Sequence, residues 1–451
     1  MYLPPQPPTP LRRLVAEVRA QTTTAQALLA QARERAAAAQ ALNPIAHVDW
    51  EAADAQARAL DRQARQSPTQ CGPLHGLPIS IKDLYAVRGM PTRAGTRAAL
   101  PDLGRDEAEA VARLREAGAL PFAKTNMHEL ALGATGENVW TGDVCNPYDP
   151  ARQAGGSSSG AAVATACGVG VAGLGSDTGG SVRIPAAFCG LTGFKPSYQA
   201  IPLAGALYLS FTCDHAGPIA PTVDDCALLF EVMAARRADH GSVPRAPRLA
   251  LPAHWLAPRM DAAVSEAFAR ELAALRAAGA EITEVDLPEL ATAWEHYTPM
   301  VRAEAAWVHR AALAAGDPGF SPLVLPPLSA GREIPATAYI AALQARAAVR
   351  AGFQALLRDH DAIVLPTSPV LPPLRGQTEV AVAGGSLSTR EAVLGQTLAF
   401  SFAALPALAM PMGLAQGLPV SLQLVGAFEA DARLLALGRW VEGLPGRARQ
   451  A

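Results

Sequence analysis

Residues 75–87 read HGLPISIKDLYAV. Inside this stretch Pro78 to Ile81 is a short apolar run, which predicts a strand that leaves the core at Lys82. Further on, Asp106 to Ala117 has helical character, with Asp106 placed to cap it and Gly118 placed to end it. Leu120 to Ala123 is another short apolar strand, followed by Lys124. Strand, helix, strand at this pitch points to parallel α/β architecture.

The pattern extends in both directions. Residues 11–66 are rich in Ala, Gln, Arg and Leu at helical spacing and predict two or three amphipathic surface helices. The most apolar run, Ser159 to Ser176, reads SGAAVATACGVGVAGLGS. It is built of small residues without bulky anchors, so it predicts a buried helix leading into a strand, not a membrane span. Residues 234–248 are polar with Gly and Pro and form the best candidate linker or long surface loop. After it LALPAHW, a helix over Asp261–Ala278 and a strand over Glu281–Val285 make a further strand–helix–strand unit. Thr337–Leu357 predicts a long helix capped by Thr337, and DAIVLPTSP at 361–369 a strand. PALAMPMGLAQGLPVSLQLVG at 406–426 predicts a closing pair of strands, and Asp431–Val441 a last helix.

Bulk properties exclude several function classes. Half of the 451 residues are hydrophobic and 17% are charged, so a large core is possible and disorder is not expected. The net charge of -2 is dispersed and no basic block stands out, so nucleic acid is not an expected partner. The six cysteines include no CxxC pair and no accompanying His cluster, which argues for free thiols in a reducing cytoplasm. The N-terminus, MYLPPQPPTPLRR, lacks an apolar segment of the secretory kind.

Three nucleophile patterns compete. GSSSG at 156–160 formally matches G-x-S-x-G with Ser158 central, but DPARQAG before it is a poor strand and no downstream His has a recognisable setting. SDTGG at 176–180 looks like a serine-protease motif with Thr178 at the nucleophile position, which the α/β pattern contradicts. The third pattern combines Lys82, Ser157 and Ser181, separated by 75 and 24 residues and set in PISIKD, GGSSSG and SDTGGSVRIPA. Here the chain resembles the amidase signature family, through GPLHGLPISIKD (72–83), FAKTNMHEL (122–130), CNPYDPARQAGGSSSGAAVA (145–164) and GLGSDTGGSVRIPAAFCGLTGFKPS (173–197). A weaker likeness continues through HAGPIAPTVDDCALL (215–229), VLPTSP and GLPVSLQLVG.

The resemblance implies an α/β fold with a large mixed, mostly parallel twisted central sheet covered by helices on both faces. It implies one amidase domain over 1–451, with N-terminal helices (1–66), a signature core (67–235) and a C-terminal part completing the sheet and pocket (236–451). Ser181 would attack an amide carbonyl, and Ser157, after a typically cis peptide, would bridge it to Lys82. A hydroxyl needs such a base, and lysine serves only when burial lowers its pKa. The backbone N–H groups of Thr178, Gly179, Gly180 and Ser181 would form the oxyanion hole. Ser158, Asp177 and Arg183 would support the loops; Ser176, Lys124 and Lys195 are read as structural or as neighbours of the site. Met127, Tyr208, Phe211 and Trp307 are candidate substrate contacts. Neither metal nor cofactor is expected, and the expected partner is a small-molecule amide, with no nucleic acid and no membrane, the protein acting as a monomer or homodimer.

Three positions depart from the family pattern. Ser159 stands where the family often has Gly, and would be strained if the backbone needed φ > 0 there. Gln199-Ala200-Ile201-Pro202 replaces G-R-V-P, and Ser401 to Pro406 replaces N-x-x-G-x-P. The last two, with no acidic residue just before Thr397, speak for a stand-alone amidase. They speak against the alternative, the glutaminase A subunit that feeds ammonia to tRNA-bound glutamate. An inactive amidase-like binding protein is the other alternative.

Overall fold

The computed structural model describes residues 9–236, 246–315 and 318–445. Most of the proposed linker, 234–248, falls outside them. Eleven strands form one sheet: β1 (Ile45–Val48), β2 (Pro78–Lys82), β3 (Leu120–Thr125), β4 (Ala172–Asp177), β5 (Thr192–Lys195), β6 (His215–Ala220), β7 (Arg248–Leu251), β8 (Glu281–Glu284), β9 (Ala362–Pro366), β12 (Ala407–Ala415) and β13 (Leu418–Val425). β10 (Glu379–Val382) and β11 (Gly385–Ser388) make a separate hairpin. The sheet order is β1-β3-β2-β4-β6-β5-β12-β13-β9-β7-β8.

The sheet is mixed. Its parallel pairings fall in two blocks, β3-β2-β4 and β9-β7-β8, which contain the two strand–helix–strand units visible in sequence. The strands between the blocks run antiparallel, and β12 joins β5 to β13. β2, β3, β4, β5, β6, β9 and β13 are buried at every position. Successive side chains point to opposite faces, so both faces of these strands are covered. The apolar run at 159–176 becomes the buried helix Ser159–Ala166 and then β4. Its Ala and Gly content lets it lie close: a Cβ at Gly160 would come within 2.4 Å of the Asn126 and Pro44 carbonyl oxygens.

Two caps differ from the sequence reading. The helix expected from Asp106 runs Glu109–Glu116 behind Ala108, with no side-chain cap. The Ala108 and Glu109 N–H groups donate to the carbonyls of Ala86 and Ala204, so neighbouring loops satisfy donors that Asp106 was expected to meet. Thr337 lies inside Ala336–Leu356 rather than at its cap, because Pro335, with φ -62, starts the helix. Asp261 does cap Ala262–Ala277, accepting from the Val264 N–H.

Candidate active site

Three chain segments meet where the parallel strands β2 and β4 end, the side of an α/β sheet on which ligand sites form. β2 delivers Lys82, and β4, paired with it in parallel, delivers Ser176 and Asp177. The segment before helix Ser159–Ala166 brings Ser157 and Ser158, and the Gly156–Ser157 peptide is cis.

Lys82 is fully buried. Its Nζ donates to Ser157 Oγ at 2.7 Å and to Ser176 Oγ at 2.8 Å. Burial pushes its pKa down to about 7, against the opposing pull of the Asp214 and Asp177 carboxylates. Lys82 therefore gives up its proton far more readily than an exposed lysine. Ser176, read in sequence as structural, thus shares the amine with Ser157.

Of the serines at 157, 158, 159, 176 and 181, only Ser181 lines the cavity of about 320 Å³ in front of this cluster. Ser158 Oγ donates to the Ser176 carbonyl at 3.1 Å and accepts from the Ser176 N–H at 3.2 Å. The Ser158 N–H donates to the Ser181 carbonyl, joining the two serine loops. Ser159 begins a helix without positive φ, so the strain considered for a non-glycine residue does not arise.

The glycine pair serves two different needs. Thr178 and Gly179 line the cavity with Ser181. Gly180 points its N–H elsewhere, to Asp177 Oδ1 at 2.8 Å, so it is not available as the oxyanion donor expected from sequence. Its φ is +141, and a Cβ there would stand 2.3 Å from Thr397 Oγ1 and 2.6 Å from Ile184 Cδ1. At Gly179 a Cβ would meet the Tyr297 hydroxyl at 2.4 Å.

Asp177 and Arg183 form a fully buried, two-pronged ion pair, with Nε to Oδ2 and Nη2 to Oδ1 both at 3.0 Å. Burial alone would raise the Asp177 pKa; the Arg183 guanidinium overrides it and holds the carboxyl well below the usual range. Arg183 also donates to the Thr397 carbonyl (3.0 Å), Gln423 Oε1 (2.7 Å) and Ser401 Oγ (2.7 Å). Ser401 in turn donates to Asp177 Oδ1 at 2.9 Å, and Thr397 Oγ1 to the Gly179 carbonyl at 2.6 Å. The departure at Ser401–Pro406 therefore touches the brace of the serine loop. Its Ala404 takes φ +66, at the position where the pattern has glycine.

A second carboxylate was not singled out in sequence. Asp214 accepts from Thr178 Oγ1 at 2.6 Å and from the Leu209 and Ser210 N–H groups at 2.8 and 3.0 Å. Burial pushes its pKa up to about 6, although these donors act the other way. It directly precedes His215 of the 215–229 segment, which was its only signal. His215 is buried against the Asp177 carbonyl, and His128 lines the cavity with Nδ1 3.3 Å from Thr135 Oγ1. Lys124, beside the site, pairs with Asp83 at 3.0 Å, and buried Lys195 donates to the Pro196 and Leu405 carbonyls.

The four candidate substrate contacts do not line the Ser181 cavity. Met127 is fully buried. Tyr208, Phe211 and Trp307 gather at a second cavity of about 370 Å³. Helix Glu289–Val308 separates these roles: its Tyr297, Thr298, Val301 and Arg302 face Ser181, while Trp307 and Val308 lie beyond. Among the described residues no group of three or more His, Cys, Asp or Glu side chains is placed to hold a metal ion.

A family model described as Amidase matches residues 26–435. The A subunit of the glutamyl-tRNA(Gln) amidotransferase of Symbiobacterium thermophilum is 33% identical, over 85% of this chain and 85% of its own. A crystal structure of an amidase is 48% identical with a TM-score of 0.93, covering 96% of this chain and 99% of that one. A solved structure concerned with a vestigial complex and the origins of an s-triazine catabolic enzyme is 28% identical with a TM-score of 0.90, covering 98% of this chain and 100% of that one.

Proposed function

The chain belongs to the amidase family, and we propose that within it Ser181 is the nucleophile of a Ser181–Ser157–Lys82 relay. It hydrolyses a carboxylic amide to the acid and ammonia or an amine. One observation supports the assignment above the others: Ser181 alone among the clustered serines opens onto the cavity, with the Lys82–Ser157 hydrogen bond behind it.

The chemistry follows from these groups. Neutral Lys82 accepts the Ser157 proton as Ser157 accepts that of Ser181, and Ser181 Oγ bonds to the amide carbon. Thr178, Gly179 and Ser181 line the cavity, so their backbone N–H groups would serve as the oxyanion hole, with Gly180 left to brace Asp177. Protonated Lys82 returns the proton through Ser157 to the leaving nitrogen, the C–N bond breaks, and the acyl group stays on Ser181. Water then attacks the ester by the same relay and frees the acid.

We further propose that the protein acts on a small-molecule amide without a nucleic-acid partner, as a monomer or homodimer in the cytoplasm, and that 1–451 forms one amidase domain. No helix among the described residues is long and apolar enough to cross a membrane. A second reading, glutaminase work in a complex, is favoured by the 33% identity to the A subunit of a glutamyl-tRNA(Gln) amidotransferase. A fluorophosphonate probe tests the nucleophile; it should label wild type and not Ser181→Ala, and equal labelling of both would refute the assignment. An amide panel that includes glutamine tests the two readings: ammonia from glutamine alone would favour glutaminase work, and ammonia from amides that lack an amino-acid group would favour the stand-alone amidase.

A further inference from the structure

The wall of the Ser181 cavity is unevenly charged. Arg302 and Arg390 line it as cations and Glu137 as an anion. Glu137 is already engaged, accepting from Thr135 Oγ1 at 2.9 Å and from the Gly376 N–H at 2.8 Å. Burial and the nearby Lys82 push the His128 pKa down to about 4, so this side chain adds no charge at neutral pH.

The two arginines have no such partners. Elsewhere Arg113, Arg115, Arg152 and Arg183 each lie within 3.1 Å of a carboxylate. Among the described residues Arg390 donates to Thr298 Oγ1, at 2.9 Å, and sits 5.4 Å from the centre of the Trp294 ring. Among the described residues neither Arg302 nor Arg390 has a carboxylate within ion-pair distance. Arg302 is half-buried and Arg390 exposed at its outer side, and the two charges feel each other: desolvation on the cavity side and Arg302 lower the Arg390 pKa, while Tyr297 and Glu391 act in the opposite sense. Two like charges facing one cavity repel unless an anion lies between them.

Their placement sets a distance. The Tyr297 hydroxyl and Leu394 both abut Gly179, two residues before Ser181. Arg302 lies five residues beyond Tyr297 on one helix, roughly 7 Å along its axis, and Arg390 lies four residues from Leu394, roughly 6 Å. Two or three methylenes separate an amide carbon from a carboxylate carbon by roughly 4–5 Å, and a guanidinium reaches the remainder. The cavity, about 320 Å³, suits a compact substrate.

We propose that Arg302 and Arg390 form a carboxylate subsite, and that the substrate is a short amide bearing a carboxylate two or three carbons from the scissile carbonyl. The inference rests on the amide-hydrolase reading and deepens it. Guanidinium forks match carboxylates in geometry, and such charge-assisted bonds discriminate against a ligand that lacks the anion.

The test compares succinamate with butyramide and glutaramate with valeramide, pairs that differ by carboxylate against methyl. Ammonia release gives kcat/KM, and fluorophosphonate titration counts competent enzyme. The acids should be favoured by about 10- to 100-fold, a preference that shrinks with added salt. It should fall toward unity in Arg302→Gln and in Arg390→Gln. Labelled enzyme that takes the neutral amides equally well, or an unchanged ratio in both variants, overturns the subsite. If a variant does not fold, the wild-type ratio and its salt dependence still decide. Absence of both labelling and ammonia release in wild type overturns the hydrolase reading itself, and the subsite with it.

Discussion

On the proposed relay, shifting the pH from 8 to 6 should slow Ser181 acylation about tenfold, because Lys82 is the base for Ser181 and acts only when neutral. Its pKa of about 7 comes first from burial, with Asp214 and Asp177 moderating the fall. An amine with that pKa is mostly neutral at pH 8 and mostly protonated at pH 6. The rate constant for fluorophosphonate labelling should therefore rise about tenfold per unit well below pH 7 and level off above pH 8. An exposed lysine, with a pKa near 10.4, would give about a 100-fold rise over the same interval and no plateau before pH 10. The measurement is stopped labelling of wild type at matched ionic strength from pH 5 to pH 9. A profile flat through pH 7, or one still climbing steeply at pH 9, would refute Lys82 as a buried base titrating at this position.

Other outcomes follow from the same geometry. Lys82→Ala should lower the labelling rate by about 100- to 10,000-fold at neutral pH, and a rate near wild type would remove lysine from the mechanism. Arg183→Met leaves Asp177 buried without its partner and should destabilise the fold by about 3–5 kcal/mol, read by denaturant unfolding; Arg183→Met with Asp177→Asn should recover part of that loss. Gly180→Ala places a methyl into Thr397 and Ile184 and should lower both activity and melting temperature, whereas intact activity would mean that the loop readily refits. Trp307→Ala should leave kcat/KM near wild type, since Trp307 borders the second cavity; a marked loss would put substrate there.

The parts of the site that were legible in sequence are those set by short-range pattern. PISIK is a strand whose apolar run ends at a lysine, and the small residues of 159–176 fit only a crowded interior, so both elements could be placed. What was illegible depends on partners far along the chain. Asp106 looked like a cap because only adjacent residues were visible, yet the Ala86 and Ala204 carbonyls serve that helix start. Nothing near Gly180 announces that its N–H belongs to Asp177, or that Ser176 accepts from Lys82 across 94 residues. Tyr208, Phe211 and Trp307 lie in promising segments, but tertiary packing decides which cavity they line, and Trp307, at the C-terminal end of helix Glu289–Val308, falls to the second. The antiparallel middle of the sheet depends on β12 joining β5, more than two hundred residues earlier, for which local periodicity carries no signal.

The brace around Arg183 has a consequence for how the protein is made. Its guanidinium reaches Thr397, Ser401 and Gln423, which leave the ribosome long after the proposed relay residues 82, 157 and 181. Until that stretch emerges, Arg183 and Asp177 have no complete shell, and the loop carrying Ser181 lacks its support. At roughly 5–20 residues per second, the 242 residues from 181 to 423 take on the order of 10–50 s to synthesise. On the proposed relay, nascent chains and fragments that end before 423 should therefore lack hydrolytic competence, which arrives only after Gln423 on β13 is in place.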